Sequence, residues 1–228
     1  MFFCFWIGIL WGFGLFFLGH MAWAYVWAVV FAGKRWGRLF VPAVLMLAVL
    51  PDVDLFLWGL GVEHHTFTHS LFFWFVLFAP LLAVYGVKVV PYFAALVQHF
   101  AFGDLLVGEV MLFWPFSFSY VGFNNAMMSV FDVGLETGGL LFAVGIMYFN
   151  GDLRRVLSVD KGNVWMFFPF LALVASMLFF AVDLPIIPLV YHIGHSKLFA
   201  TIVLAHLVLV GFLAVSTFQG LRKISDTF

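Results

Sequence analysis

Residues 164–182 and 198–220 each run without an aspartate, glutamate, lysine or arginine, and similar apolar stretches recur along most of the chain. About 20 such residues are what a helix needs to cross the hydrocarbon of a bilayer. Composition agrees with that reading: 9% of the 228 residues are charged, against about 25% in a soluble domain. The 33 Phe and 9 Trp exceed what a water-soluble core of this length can hide. The length suits a single membrane domain over 1–228 rather than two domains. A net charge of −1 leaves no nucleic-acid footprint. Cys4 is the single cysteine, which excludes an intramolecular disulfide and a cysteine-based zinc site. No basic segment precedes the first apolar run, so it is read as a retained transmembrane helix and not as a cleaved signal peptide.

The apolar runs predict an all-α fold, a polytopic transmembrane helix bundle of about seven spans. These lie near 5–31, 39–50 continuing irregularly to 60, 70–87, 89–113, 133–149, 164–182 and 198–220. With the N-terminus outside and the C-terminus inside, the inner loops hold Lys34, Arg35, Arg38, Lys88, Arg154, Arg155, Lys161, Arg222 and Lys223, and only Lys197 falls outside. That asymmetry follows the preference of basic residues for the cytoplasmic side. It puts 51–69, 114–132 and 183–197 on the outer side. The expected location is the cell (cytoplasmic) membrane, crossed many times.

Ionisable residues within or beside such spans cost about 2.5–3.5 kcal/mol each at the bilayer centre on insertion scales, which makes them functional candidates. In "LPDVDLF", Asp52 and Asp54 lie two apart, a spacing that turns both to one face of extended backbone and toward one cation. A helix start with an acidic first turn fits the same residues. "HHTFTHS" supplies His64, His65 and His69, and neutral imidazole is the commonest side-chain metal ligand. Thr68 or Ser70 is placed to cap the helix that follows. In "QHFAFGDLLVGEV", His99 falls near mid-span, and a regular helix turns Asp104 away from it by about 100°. A π-bulge or local unwinding at Gly103 returns Asp104 to His99, and such bulges concentrate at functional sites. His20 stands alone in the first span, where a packing role fits as well as a ligand role. His192 and His195 are spaced to share a metal, but a solvated polar loop explains them equally.

Gly19-His20, then "LPDVD", His64 followed by "THS", a helical histidine followed by aspartate, and "FWPF" stand in an order that resembles the YdjM-like membrane-bound metal-dependent hydrolases. The resemblance covers roughly 19–116. The remaining half, with three additional transmembrane helices over 133–220, takes no part in it. It implies metal-ligand roles for His20, Asp52, His64, His69 and His99, with Asp54 also in the motif. It also implies a remote similarity to zinc-dependent phospholipase C and P1-type nucleases. The chain departs from the pattern at His65 and Thr66, where the family carries Arg-Gly. It departs again where Gly103 occupies the acid position and Asp104 follows one residue later, without the usual threonine.

These readings together predict a membrane-embedded metal-dependent hydrolase with one or two zinc ions near the outer leaflet, manganese also being compatible with the ligand types. Its substrate would be a lipid or isoprenoid phosphoester drawn from the membrane, with Asp54 or Glu109 as general base or orienting group. Two other functions use the same residues: a transporter or ion-conducting protein built on the His/Asp cluster, and a membrane assembly subunit whose chemistry has decayed.

Overall fold

The computed structural model describes residues 17–33, 38–57, 60–125, 129–183 and 196–226. The first part of the expected 5–31 span, together with Lys34, Arg35, His192 and His195, lies outside them. Among the described residues the chain is helical, with no strand beyond an isolated bridge between Val110 and Val121.

Helix α1 (Phe17–Ala32) is apolar on all sides and is buried accordingly. Leu18, Met21, Ala24, Tyr25 and Ala28 are nearly inaccessible, as expected of a helix without a polar face. Helix α2 (Val41–Leu47) begins with Pro42 at its first turn, where the missing N–H leaves no bond unmade. Helices α3 (Leu71–Tyr85) and α4 (Val90–Gln98) follow, and α4 runs on through a π-helical segment, His99–Asp104, to Val107. Helix α5 (Val130–Phe149), helix α6 (Phe167–Asp183) and helix α7 (Lys197–Ser225) complete the bundle.

Three helical stretches are long and apolar enough to cross a membrane: Leu71–Val107, Val130–Phe149 and Lys197–Ser225. The first is not one rod. As a straight helix its ends would stand about 55 Å apart, yet Leu71 N donates to Leu112 O at 3.1 Å and the Phe78 and Phe93 rings lie 5.1 Å apart. The reversal occurs at Gly86, whose φ of 59° is left-handed and favours glycine. Ser70 caps α3 by accepting from Phe73 N, and its hydroxyl donates to Trp114 O, closing the open end of the hairpin.

The expected second run, 39–50 continuing irregularly to 60, is broken in the structure. Its helix, α2, has 7 residues, about 10 Å of rise against a hydrocarbon core of about 30 Å. After Ala48 the chain passes through a 3-10 turn at Pro51–Val53 and a short helix at Asp54–Leu57. Pro51 has no N–H to continue the ladder, and Asp52 and Asp54 are drawn to partners that a continuous apolar helix would deny them.

Contacts along the bundle sort its charges to one end. Phe40 N donates to the Tyr92 hydroxyl at 3.0 Å, Arg155 Nη2 to Leu39 O at 2.7 Å, and Ser216 Oγ to Val156 O at 2.8 Å. Arg38, Lys88, Arg154, Arg155, Lys161, Arg222 and Lys223 belong to the turns and helix ends gathered there. His20, Asp52, His69 and His99 meet at the opposite end, to which Lys197 at the start of α7 also belongs. In a membrane, Asn150→Cys and Asn124→Cys, each in a Cys4→Ser background, should react with an impermeant thiol reagent from opposite faces. Labelling of both from one face would contradict this arrangement.

Small residues allow close helix approach at the basic end. A Cβ at Gly220 of α7 would lie 2.1 Å from Val164 N, a backbone atom that cannot swing aside. Gly220→Ala should therefore destabilise the bundle by about 1–3 kcal/mol, the usual cost of overpacking, seen as a lower melting temperature in detergent. An unchanged melting temperature would show that the two segments separate freely.

Candidate metal centre

Four segments deliver the polar side chains to one buried point. His20 comes from α1, Asp52 and Asp54 from the turns after α2, His64 to His69 from the loop before α3, and His99 and Asp104 from the π-helical segment. That segment lies where the sequence calls for an irregularity. Its extra residue per turn brings Asp104 to the face of His99, with His99 Nε2 and Asp104 Oδ2 3.2 Å apart. The 3-10 turn at Phe67–His69 directs His69 inward while Trp74 Nε1 donates to Thr68 O and holds that turn against α3.

At the innermost point, donor atoms crowd together. Asp104 lies 3.3 Å from His20 Nε2 through Oδ1 and 3.3 Å from His69 Nε2 through Oδ2. Asp52 Oδ1 lies 3.2 Å from His99 Nε2 and 3.5 Å from His69 Nε2, and the two imidazole Nε2 atoms are themselves 3.3 Å apart. Ligands bound to zinc at about 2.0–2.1 Å in a tetrahedron stand roughly 3.3 Å from one another. The contact distances therefore match the edges of a coordination shell within two groups that share His99, His20 with His99 and Asp104, and Asp52 with His69 and His99, and the donor set fits zinc or manganese.

The rings are held from behind. His99 Nδ1–H donates to Ala48 O at 2.6 Å, and His20 stacks on His99 with centroids 3.8 Å apart. His69 Nδ1 lies 3.1 Å from the Thr68 hydroxyl and 3.4 Å from Asp54 Oδ2. Both rings thus turn Nε2 toward the centre, the arrangement by which an outer partner fixes tautomer and orientation of a metal-binding histidine. Gln98 Nε2 donates to His20 O at 2.8 Å and ties α1 to α4 at this level.

Asp54 is fully buried and both of its oxygens are engaged: His64 Nδ1–H donates to Oδ1 at 2.7 Å and Thr68 Oγ1 to Oδ2 at 2.5 Å. Burial pushes its pKa up, but hydrogen bonding from His64 and His69 and the charge on both rings outweigh burial and hold the carboxyl below the usual range. Burial also lowers His69, yet hydrogen bonds to Asp104, Asp52 and Asp54 overcome it and raise the imidazole well above its ordinary value. Burial and the neighbouring His64 push His65 the other way, well below the ordinary value, so its ring is neutral at pH 7.

Of the residues singled out in the sequence, His20, Asp52, His69, His99 and Asp104 come together at the centre. Asp54 stands behind the rings. His64 lies at the edge, with Nε2 3.8 Å from Asp52 Oδ1. Glu109 is exposed and joins none of the ligand groups. Gly108, at φ −118° and ψ −148°, ends the helix before it and turns the chain toward the bridge at Val110.

Sequence reasoning passed over Gln98 as a tie and Glu136 altogether. Glu136 of α5 is fully buried, its carboxylate 2.7 Å from where a Cβ of Gly19 would stand, beside His20. A lone acid inside an apolar span was the available signal.

Comparison with known proteins finds no matching family model, no matching curated protein and no matching solved structure.

Asp104→Ala and His99→Ala should each lower the metal content of the purified protein to a similar degree. Asp54→Asn should weaken binding by about 10–100-fold, the usual effect of losing an orienting partner. Full metal retention by Asp104→Ala, measured by elemental analysis, would remove Asp104 from the shell.

Proposed function

We propose that this chain is an integral membrane metal-dependent hydrolase acting on a lipid or isoprenoid phosphoester. The observation that carries the reading is the set of five donors, from His20, Asp52, His69, His99 and Asp104, whose closest contacts with one another run from 3.2 to 3.5 Å. A structural role for so many titratable groups is a poor fit, because each one buried in an apolar bundle carries a desolvation penalty that simple packing would avoid. When bound, the ion supplies Lewis acidity toward a phosphoryl or ester oxygen and a source of hydroxide at neutral pH.

The chain's own groups do the rest. Asp54 keeps the Nδ1 proton on His64 and leaves the Nε2 lone pair of that ring facing Asp52. With both oxygens occupied, Asp54 orients its neighbours and is not free to collect a substrate proton, and Glu109 is too exposed to replace it. The backbone of Ala48 performs the same orienting service for His99. His64 keeps its side chain partly open, at 18% exposure, and marks the side from which a substrate reaches the centre. We place the centre toward the outer leaflet, with the N-terminus out and the C-terminus in. The seven basic residues gathered at the opposite end of the bundle support that sidedness, and the apolar helix faces around the centre favour a substrate that arrives through lipid.

Purified protein loaded with Zn2+ or Mn2+ should release phosphate or a phospho-headgroup from a panel of lipid and polyprenyl phosphoesters in mixed micelles. His99→Ala should reduce turnover by 10²-fold or more, in keeping with about 2.7 kcal/mol or more of lost transition-state stabilisation. A metal-loaded protein that turns over none of the panel, in micelles and in vesicles alike, would defeat the hydrolase reading.

A further inference from the structure

We infer that the loop 109–125, between α4 and α5, docks on the bilayer, its aromatic side chains entering the lipid leaflet on the metal-centre side. The partner it fits is a zwitterionic phospholipid surface. The inference rests on the hydrolase reading only for what the loop borders.

Helix α3 has 15 residues, about 22 Å of rise against a hydrocarbon core of about 30 Å. Lys88, exposed just beyond the Gly86 turn, belongs at the water boundary of the basic end. The start of α3 then falls short of the opposite boundary, and apolar surface from elsewhere has to cover the remaining depth. The loop stands at that place. Leu71 N, one of the donors that a helix start leaves without an internal partner, bonds to Leu112 O, and the Ser70 hydroxyl bonds to Trp114 O.

The loop surface is apolar to match. Residues 110–131 contain no aspartate, glutamate, lysine or arginine. Phe113, Phe116, Phe118, Tyr120 and Phe123 are each 43% to 74% exposed, and large apolar groups gathered in one exposed place mark an interaction surface. Continuity names the partner. Phe72 and Phe75 on the outside of α3 are exposed, and the Phe72 ring meets that of Phe116 with centroids 4.8 Å apart. The side of the hairpin that faces lipid therefore runs on into the loop, and the same bilayer covers both.

Irregular backbone does not lie exposed in hydrocarbon. The peptide groups of the loop accordingly belong at the headgroup boundary, with the rings below them, the level that aromatic side chains favour. Ser117, Ser119, Asn124 and Asn125 supply polar groups for that boundary. The acids nearest in sequence to this surface that reach water, Glu63 and Glu109, give it no attraction for anionic headgroups. The loop is also fastened to the histidine segment, with Met111 N donating to His65 O at 2.9 Å. A loop set at the headgroup boundary thus sets the neighbouring His64, at the open edge of the centre, near the depth of a phospholipid phosphate.

The test uses the full chain in a Cys4→Ser background, one copy per phosphatidylcholine nanodisc, with a nitroxide at Phe116→Cys or Phe118→Cys. Collision with oxygen, which concentrates in hydrocarbon, is compared with collision with a water-soluble nickel chelate. Labels at 116 and 118 should favour oxygen several-fold, and a label at Asn124→Cys should favour nickel. Phe113→Cys replaces whichever of the first two is not monodisperse. A nickel preference at 116 and 118 equal to that at 124 places the loop in water and overturns the inference. Shielding from both reagents also overturns it, since protein and not lipid then covers the loop. The labels report depth in metal-stripped and metal-loaded protein alike, so either result leaves the hydrolase reading to its own test.

Discussion

Burial of like and unlike charges at a single point governs this structure. Carboxylates from Asp52, Asp54 and Asp104 and imidazoles from His20, His65, His69 and His99 are all within the apolar bundle and nearly inaccessible. Breaking a buried charged pair by removing one partner commonly costs 3–5 kcal/mol, so each group is tolerated only while the others hold position. The irregular features of the backbone serve that requirement. The π-helical turn adds Asp104 to the face of His99, the break after α2 frees Asp52 and Asp54, and the reversal at Gly86 returns α4 to the level where α3 began. Regular helices of the same composition would leave these side chains apart from one another.

The bundle is correspondingly two-ended. At one end, Arg155 and Tyr25 hold Asp152, with Arg155 Nη2 3.0 Å from Oδ1 and the Tyr25 hydroxyl 2.7 Å from Oδ2, and backbone carbonyls satisfy Asn163. These contacts are of the kind that fasten loops at a polar surface. At the other end, polar groups converge inward and orient one another. The first end fixes the helices relative to one another, and the second is where that precision would serve a bound ion, whose ligand shell tolerates displacements of only about 0.5 Å.

Much of this was legible in the sequence, for physical reasons that differ by element. Charge depletion announces membrane-length helices without any structural help, and the runs at 133–149 and 198–220 fall within α5 and α7. The irregularity at Gly103 was readable because Asp104 had to find a partner and glycine makes a backbone bulge inexpensive. The irregular second run was legible because Pro51 and two aspartates interrupt 39–60, whereas a helix of only 7 residues before them was not. Glu109 looked as suitable a base as Asp54, and only the turn at Gly108 separates them. The approach of the His65 ring to that of His64 was hidden because alternation predicts them on opposite faces, and a left-handed residue other than glycine carries no sequence signature. Glu136 belongs to the half of the chain outside the motifs, and its approach to Gly19 is a packing relation between distant helices that no local pattern encodes.

The central claim is that His20, His69, His99, Asp52 and Asp104 are ligands of one ion. X-ray absorption at the zinc edge of the purified, zinc-loaded protein examines that shell directly. The account predicts a shell of nitrogen and oxygen at about 2.0–2.1 Å with the outer scattering characteristic of imidazole rings, and loss of part of that scattering in His99→Ala. A zinc shell of oxygen alone, without imidazole scattering, would contradict it.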